Sequence, residues 1–557
     1  MKTASSKADL LVIGGGIAGC MAAIRGRELG LRVTVWDKAN PRRSGGATTG
    51  IDHCWAYIPE IHADLMSPEQ MLSDHLEAAG GFGKPELVKA IIEDSFARVG
   101  DLERFGVPMR DERGEFRLIK KIHRAPSFIH FAGRDLKVRL STQMHRQHVH
   151  VERRVMGVEL LVDKGRVIGA VGVSTREPTV HVCSAQAVLL STGSTFRLFP
   201  PPTRLLFNIA FPPHDSGDGQ AMAFRAGARL VNMEFLNFQQ GPKNFARCGK
   251  GSYVPGGRVI NGFGLPLGQA PDKGEKSIDK ATESPEAFRK ETAAGRGPLY
   301  MDLRGASNED VEYIRWALNN EGNSAYLNYL DEEGWDFHYQ PIEWDVYEPK
   351  QSAGLAGLDI NSAGETSLRG LFAAGDVVGA VPRSVCPGAL TYGYRAAESA
   401  AKYIAAGEAL PLEGTATSTV EAILERSSRF LGRSRGAGWV EALIAFQNIM
   451  ADYGGLLRSA VLLEKGLEHL DRLKDRIDRE GRASNPHELY RFFEVLNLVE
   501  LGRVIMKAAL HREESRVQPW ARRADFPEQD DLHWRKLLAI WQEDGDPCLD
   551  EIPLGTK

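Results

Sequence analysis

The stretch Asp9-Leu10-Leu11-Val12-Ile13-Gly14-Gly15-Gly16-Ile17-Ala18-Gly19 decides the fold of this chain. A short apolar run leads directly into three glycines, and a second apolar run, Leu31 to Trp36, ends at Asp37, eighteen residues after Gly19. This spacing predicts a strand, a glycine-rich turn, a helix over Cys20 to Leu29 and a second strand. That order is typical of a Rossmann-like dinucleotide site.

The glycines of this turn have distinct physical roles. Gly14 permits the tight turn out of the first strand, Gly16 lets the backbone approach a diphosphate, and Gly19 lets the helix pack on the sheet. The diphosphate would lie on the N-terminus of the helix that follows, and Ile17 and Ala18 are counted among the cofactor-binding candidates.

The acidic residue at the end of the second strand is followed at once by another run of small residues. Asp37 is placed to accept hydrogen bonds from ribose hydroxyls. Lys38 is counted among the cofactor-binding candidates, although a solvated position is the simpler interpretation. The stretch from Arg43 to Gly50 leaves room for a large ligand, and its candidates are Ser44, Gly45, Gly46, Thr48 and Gly50.

Later segments resemble, in order, the flavoprotein subunits of the succinate dehydrogenase and fumarate reductase superfamily. They are Val188 to Ser194, Ser216 to Gly219, Gly370 to Asp376, Glu514 to Arg516 and Arg523 to Pro527. The resemblance implies an α/β fold with a Rossmann-like FAD-binding domain, an inserted α+β capping domain and a helical C-terminal domain. It also implies FAD-binding roles for Val155, Thr192, Gly193, Asp218, Gly375 and Asp376, the last of which would hold the ribityl chain.

Within the superfamily, the chain is most similar to the flavoprotein (alpha) subunits of adenylylsulfate reductases, which interconvert adenylylsulfate with AMP and sulfite. The similar stretches are Arg43 to Gly45, Gly297 to Asp302 and Pro382 to Ala397. Gly45 stands where succinate dehydrogenases place the histidine that bonds to FAD, so we expect noncovalent FAD. The resemblance also implies a small anionic substrate and an iron–sulfur (ferredoxin-like) partner subunit.

The segment Gly388-Ala389-Leu390 has a physical interpretation in such a protein. A helix starting at Gly388 would direct backbone N–H groups and a partial positive charge at an adjacent group. Aimed at the pyrimidine edge of the flavin, that charge would stabilise the anionic reduced form.

Chemistry at flavin N5 needs an anion-binding shell and, where protons move, an acid or base. Arg383 is the first catalytic candidate because it lies between Asp376 and Gly388, and a surface arginine is its alternative. Arg516 could reach the flavin cleft or merely knit domains together. His53 could face the active site or be a structural histidine.

The chain departs from the superfamily at two places where substrate-binding histidines are expected. Neither Leu236 to Gln240 nor Lys350 to Gly354 contains one. Fumarate or succinate chemistry is therefore disfavoured. Two alternatives stay open: an electron-transfer flavoprotein component without its own substrate, and a fumarate reductase or L-aspartate oxidase-like enzyme.

Composition agrees with a large enzyme of more than one domain, with 557 residues, 43% hydrophobic residues and 58 glycines. The net charge of -4 disfavours nucleic acid as a partner. The six cysteines form no Cys-x-x-Cys pair, and the histidines between His123 and His150 have no compact ligand spacing, so no metal is expected. The sequence contains no run of eighteen apolar residues, so it predicts no membrane span, and we expect a cytoplasmic protein.

The domain prediction divides the FAD-binding domain in two parts, residues 1–230 and 346–410, with a hairpin around Arg166 to Val173. The inserted capping domain covers residues 231–345. It is rich in glycine and proline near Pro255-Gly256-Gly257, has a polar loop from Gln269 to Glu291, and turns helical after Asn308. The helical C-terminal domain covers residues 411–557.

Overall fold

The computed structural model describes residues 1–201, 214–245, 257–267, 285–346, 349–407 and 416–554. The predicted polar loop lies outside these ranges up to residue 284, and so do Pro255, Gly256 and the predicted domain boundary at residue 410. The domain boundaries themselves stay predictions.

The described strands form five sheets. They are β1 (Lys2–Ile13), β2 (Val33–Asp37), β3 (His53–Trp55), β4 (Arg117–Ile119), β5 (Phe128–His130), β6 (His150–Arg153), β7 (Val155–Asp163), β8 (Arg166–Ser174), β9 (Thr179–Leu190), β10 (Leu230–Val231), β11 (Leu236–Asn237), β12 (Gln240–Pro242), β13 (Arg258–Ile260), β14 (Leu299–Asp302), β15 (Ile342–Val346), β16 (Lys350–Gln351), β17 (Gly357–Leu358), β18 (Leu371–Ala373), β19 (Lys536–Glu543) and β20 (Asp546–Pro553).

The described α-helices are α1 (Ile17–Glu28), α2 (Pro59–His62), α3 (Pro68–Glu77), α4 (Pro85–Arg104), α5 (Leu136–Arg146), α6 (Asp218–Arg225), α7 (Pro285–Ala293), α8 (Asn308–Asn320), α9 (Ser324–Glu332), α10 (Val385–Ala405), α11 (Ala416–Gly432), α12 (Trp439–Tyr453), α13 (Ala460–Glu480), α14 (Pro486–His511) and α15 (Asp531–Trp534). None of these helices is long and apolar enough to cross a membrane.

The central sheet positions most of the predicted cofactor-binding segments. Its parallel part runs β6-β2-β1-β9, with β18 beside the end of β9, and β8 and β7 continue it antiparallel as the predicted hairpin. Gly14, Asp37, Thr192 and Gly375 lie at or just after the carboxyl ends of four of these parallel strands. Carboxyl ends of parallel strands share one edge, which is where α/β sheets bind ligands.

Two elements extend further than the apolar pattern predicts. β1 begins at Lys2 and not at Leu10, because its polar first half also pairs with β9. α1 begins at Ile17 and not at Cys20, directly after Gly16 as its N-cap. The first amide groups of the helix therefore adjoin the glycine-rich turn.

The expected capping domain has its own sheet and core, which confirms the predicted fold class. The sheet runs β12-β15-β14-β13, and α8 and α9 pack beside it. The core includes Met301, Ile314, Leu330 and Trp344.

The C-terminal part is mainly helical as far as His511, and only the short α15 follows among the described residues. After it, β19 and β20 form a hairpin that pairs with β10, Leu230 lying opposite Ile540. Leu537 to Ile540 are all buried, because this strand is covered on both faces and so lacks the period-2 alternation of a half-exposed strand. This return of the chain was not predicted from the sequence.

Candidate active site

The glycine-rich turn after β1 has the backbone geometry that a diphosphate requires. Gly14 has φ +104°, and a Cβ there would lie 2.4 Å from the Ser191 carbonyl oxygen. A Cβ at Gly19 would lie 1.9 Å from the Gly14 carbonyl oxygen, so this glycine lets α1 pack on the turn. At Gly16 the nearest atom to an added Cβ would be 3.9 Å away. The backbone is open there, beside the first amides of α1, so the turn fits the diphosphate of FAD.

Asp37 connects this turn to the second run of small residues. Its buried carboxylate accepts hydrogen bonds from the Gly15 amide and the Ser44 hydroxyl, both at 2.8 Å. A Cβ at Gly45 would lie 3.0 Å from the Gly16 Cα, so the two glycine segments pack closely. The predicted ribose contact of Asp37 stays a prediction.

The same stretch meets the capping domain at the end of α8. The Thr49 hydroxyl donates to the Glu321 carbonyl oxygen at 2.7 Å. Gly50 has φ +124°, and a Cβ there would lie 2.2 Å from the Asn320 carbonyl oxygen. Between these contacts and Gly45 lie the candidates Gly46, which is exposed, and Thr48, which is partly buried.

The cofactor-binding candidates after β9 and β18 lie in close backbone turns. The Thr192 hydroxyl accepts from the Gly219 amide at 3.1 Å, at the start of α6. Gly193 and Gly375 both have positive φ, and a Cβ at Gly375 would lie 2.9 Å from the Cβ of Ala18 in α1. The other two candidates are Asp376, which is partly buried next to Gly375, and Val155, which is buried at the start of β7.

The solvated position expected for Lys38 is wrong. Its ammonium lies 2.7 Å from the Asp218 carboxylate and 2.9 Å from that of Glu494 on α14. Burial alone would lower the pKa of Lys38, but these two carboxylates raise it. Asp218 also accepts from Asn497 at 3.0 Å, so both predicted cofactor ligands take part in an internal network that joins β2, α6 and α14.

Asp215 is a titratable group that the sequence analysis missed. Burial raises the pKa of its carboxyl to about 7. The charge of Lys38 lowers this pKa, but the nearby carboxylates, of which Asp376 contributes most, raise it again. The carboxyl carbon lies 3.4 Å from the place of a Cβ at Gly193. A group that changes protonation near neutral pH therefore lies beside a predicted FAD-binding turn.

The helix predicted to start at Gly388 starts three residues earlier, at Val385. Gly388 donates to the Ser384 carbonyl oxygen at 2.9 Å, so Gly388, Ala389 and Leu390 lie inside the helix and not at its free N-terminus. A Cβ at Gly393 would lie 2.5 Å from the Ala18 carbonyl oxygen, which shows how closely α10 packs on α1. The buried hydroxyl of Thr391 has no hydrogen-bond partner among the described residues, and this too fits a bound cofactor.

Arg383 lies in a strained loop between Gly375 and α10. Ala380, Arg383 and Val385 all have positive φ, at 56°, 51° and 40°. Such conformations are unusual for residues with a Cβ and occur where surrounding contacts enforce them. Here Trp55 donates its indole N–H to the Arg383 carbonyl oxygen at 3.1 Å, while the exposed Arg383 side chain donates through Nε to the Ala78 carbonyl oxygen at 3.1 Å.

A buried pair of histidines fixes the residue before Arg383. His75 Nε2 lies 2.6 Å from the Pro382 carbonyl oxygen and must donate to it, so His75 Nδ1 accepts from His123 Nε2 at 3.2 Å. His123 Nδ1 then accepts from the Ser127 hydroxyl at 2.6 Å. Burial lowers the pKa of His75 to about 4 and that of His123 to about 3, which keeps both rings neutral as this chain requires.

His53 lies at the contact between β3 and the capping domain. Its Nδ1 lies 2.6 Å from the buried Asp52 carboxylate, and its Nε2 lies 2.9 Å from the Lys121 ammonium. Tyr313 of α8 approaches the same carboxylate at 3.5 Å. Ligand atoms of Asp52, His53 and Glu321 lie within 4.8 Å of one another, but both His53 nitrogens already have partners, which favours proton holding over metal binding.

Arg516 lies in a buried network of ion pairs. Its guanidinium donates twice to Glu514, at 2.6 Å each, and lies 2.9 Å from Asp531. Arg523 pairs with Asp525 at 2.8 Å in the same way. With its charge neutralised and its side chain 2% exposed, Arg516 fits the domain-knitting alternative better than substrate binding.

The two segments that lack the expected histidines are brought together as β11 and β16. Leu236 lies opposite Gln351 in this antiparallel pair. Gln351 is fully buried, its amide nitrogen lies 3.2 Å from the Met233 sulfur, and its amide oxygen has no partner among the described residues. The Gln239 amide oxygen is likewise without a described partner. Gln351 thus places a neutral amide in this strand pair next to the buried Lys350, and Gln239 lies just after β11.

Lys137 is a further residue that sequence reasoning missed. It is fully buried in α5, and its ammonium donates to the Gly15 carbonyl oxygen at 2.5 Å and lies 3.1 Å from the Cys20 sulfur. It therefore brings a positive charge against the glycine-rich turn. No local signal separates it from the other basic residues of α5.

Comparison with known proteins bears on this geometry. Residues 9–389 match a family model described as FAD binding domain, and residues 444–557 match one described as fumarate reductase flavoprotein C-term. An uncharacterized FAD-dependent oxidoreductase of Methanocaldococcus jannaschii is 25% identical, with 96% of each chain covered. The fumarate reductase flavoprotein subunit of Mycobacterium tuberculosis is 28% identical, covering 96% of this chain and 95% of its own. The solved adenylylsulfate reductase of Archaeoglobus fulgidus superposes with a TM-score of 0.86 at 23% identity, over 99% of this chain and 96% of its own.

Proposed function

The chain belongs to the FAD binding domain family and is an FAD-dependent oxidoreductase, and on this premise we propose the reaction in which it takes part. It would be the flavoprotein subunit that exchanges electrons between a small anionic substrate at flavin N5 and an iron–sulfur partner, as in adenylylsulfate reductases. Bound FAD would supply the two-electron chemistry. The turns at Gly16, Gly45 and Gly375 would hold it.

The observation that carries this proposal is the placement of Arg383. The loop on which it lies follows Gly375 and precedes α10, and both elements pack on the first turn of α1. His75 and Trp55 fix the carbonyl groups of Pro382 and Arg383, so the backbone is held while the guanidinium stays exposed. A preorganised guanidinium favours an anionic oxyacid, which it can bind with two parallel hydrogen bonds.

We propose that His53 positions a proton donor where β3 meets the capping domain. Asp52 accepts from Nδ1–H, which leaves Nε2 as the acceptor for the Lys121 ammonium. The Lys121 ammonium would then be the proton donor, and His53 would hold it in place by accepting its hydrogen bond through Nε2. Contact of α8 with this group would place it under a closing domain that excludes water.

The test is an anaerobic titration of the purified flavoprotein with sulfite, with and without AMP, following the flavin absorption band. The proposal predicts that AMP increases the bleaching caused by sulfite and that adenylylsulfate is formed. Because sulfite alone can bleach a flavin by adding to N5, the refuting results are the absence of adenylylsulfate after sulfite and AMP are added, or a flavin that dithionite reduces and sulfite with AMP does not.

A second candidate function is electron relay within a larger complex. The amides of Gln239 and Gln351 favour it, because they lie in the two segments where substrate-binding histidines are expected and neither of them titrates. Such a protein would accept electrons from a reduced ferredoxin but respond to no small substrate. Consumption of oxygen by the isolated chain with L-aspartate would instead identify an oxidase.

A further inference from the structure

A cavity of about 290 Å³ lies beside Arg43, the first residue of the small-residue stretch that ends at Gly50. Four arginines surround it, namely Arg42, Arg43, Arg139 and Arg146. Asp135 is the acidic residue of its lining, and Phe105 and Val138 add apolar surface. None of the residues assigned above to FAD binding or catalysis lines this cavity.

The charge around the cavity contrasts with that of the whole chain. Four guanidinium groups against one carboxylate give a local charge of +3, whereas the complete chain carries -4. Within the described part of the chain, Arg42, Arg139 and Arg146 form no ion pair, and Arg43 is 3.7 Å from Asp135. Arginine keeps its charge at every physiological pH, so this positive field is permanent.

Helical spacing produces this convergence. Arg139, Thr142 and Arg146 recur at three- and four-residue intervals and therefore share one face of α5. Lys137 leaves the same helix in another direction, toward the Gly15 carbonyl oxygen. One face of α5 therefore lines the cavity, and another contacts the glycine-rich turn.

Contacts around the cavity orient two of the arginines. The Arg139 Nη1 atom lies 3.3 Å from the place of a Cβ at Gly106, which follows α4, so the absence of a side chain there makes room for the guanidinium. Arg43 Nη1 donates to the carbonyl oxygens of Thr48 and Arg134, both at 3.4 Å. These contacts engage Arg43 Nη1, and the charge of Arg43 is compensated only by Asp135 at 3.7 Å among the described residues.

We propose that this cavity binds a small organic anion that carries phosphate or sulfate groups. Guanidinium groups match the oxygens of such groups in pairs, and several of them together select for more than one negative charge. The apolar surface of Val138 and Phe105 gives the organic part of the ligand a place to pack. A bare inorganic anion would leave that surface unused.

The test is calorimetric titration of the FAD-saturated protein with ADP and, separately, with inorganic diphosphate, at low and at physiological salt. FAD saturation excludes binding of ADP at the flavin site. The double variant Arg139→Gln with Arg146→Gln removes two charges from the cavity. Arg113→Gln with Arg479→Gln removes two charges from exposed positions elsewhere and is the matched control.

We expect one ADP per chain, an affinity about tenfold or more weaker in the cavity variant, and no change in the control. Flavin content should be the same in all three proteins. Absence of ADP binding, or equal weakening in both variants, would overturn the proposal. Binding of inorganic diphosphate as tight as that of ADP would refute the role of the apolar surface.

Discussion

Replacing Gly16 or Gly19 by alanine should separate cofactor binding from folding. The two glycines lie three residues apart in the same turn, and both replacements add one methyl group. Gly16 has φ -66°, which any residue adopts, and its added Cβ would meet no atom closer than 3.9 Å. At Gly19 the added Cβ would lie 1.9 Å from the Gly14 carbonyl oxygen and 2.6 Å from the Ser191 hydroxyl.

These distances set the magnitudes. Overpacking in a close-packed region costs about 1–3 kcal/mol and occasionally more. A Cβ at 1.9 Å from backbone requires a displacement well over 1 Å, so we expect Gly19→Ala to lose roughly 3 kcal/mol or more. Gly16→Ala should change the free energy of unfolding by less than about 1 kcal/mol, the usual range of an N-cap substitution. Its methyl group would instead occupy the space in which we expect the diphosphate to lie.

The assay is urea unfolding of both variants prepared without flavin, followed by titration of the refolded proteins with FAD. Gly16→Ala should unfold almost as the parent protein does and bind FAD at least about tenfold more weakly, the effect of losing about 1.4 kcal/mol. Gly19→Ala should show the stability loss. Normal FAD affinity in a stable Gly16→Ala protein would refute the account of the turn.

Three further predictions concern the loop before Arg383, the buried acid and the flavin linkage. His75→Leu leaves the Pro382 carbonyl and His123 Nε2 without their partner in the interior, and urea unfolding should show a loss of about 2–4 kcal/mol. Because the pKa of Asp215 is raised from 3.8 to about 7, its contribution to stability is complete below pH 3.8 and is lost as the pH rises toward 7. Asparagine is neutral like the protonated carboxyl, so Asp215→Asn should match the parent Tm near pH 4 and exceed it at pH 8. Since Gly45 offers no side chain for covalent attachment, acid precipitation should release all FAD into the supernatant, and flavin retained in the pellet would contradict this expectation.

The sequence was sufficient for the nucleotide-binding framework because its signals are local. Strand, glycines and acid follow each other within a single unit, and each glycine meets the steric condition that its position implies. The order of later motifs then predicted the capping and C-terminal domains. The buried strand from Leu537 to Ile540 carries no local signal of this kind, because its pairing with β10 joins residues about 300 positions apart.

The side-chain networks were less predictable for the same reason. Lys38 was expected in solvent, and only the packing of α14 against α6 brings Glu494 to it. The start of α10 was placed too late because positive φ at Val385 and the contacts of Pro382 with His75 are set by tertiary structure. No local pattern reports such contacts.

The most direct test of the central claim compares the parent protein with Arg383→Gln in the anaerobic sulfite titration. Both proteins should contain equal FAD, because Arg383 lies outside the glycine turns. The account predicts that AMP-dependent bleaching occurs in the parent and is lost in Arg383→Gln. Identical bleaching in the two proteins, or none in the parent, would contradict a small anion bound by Arg383 at the flavin.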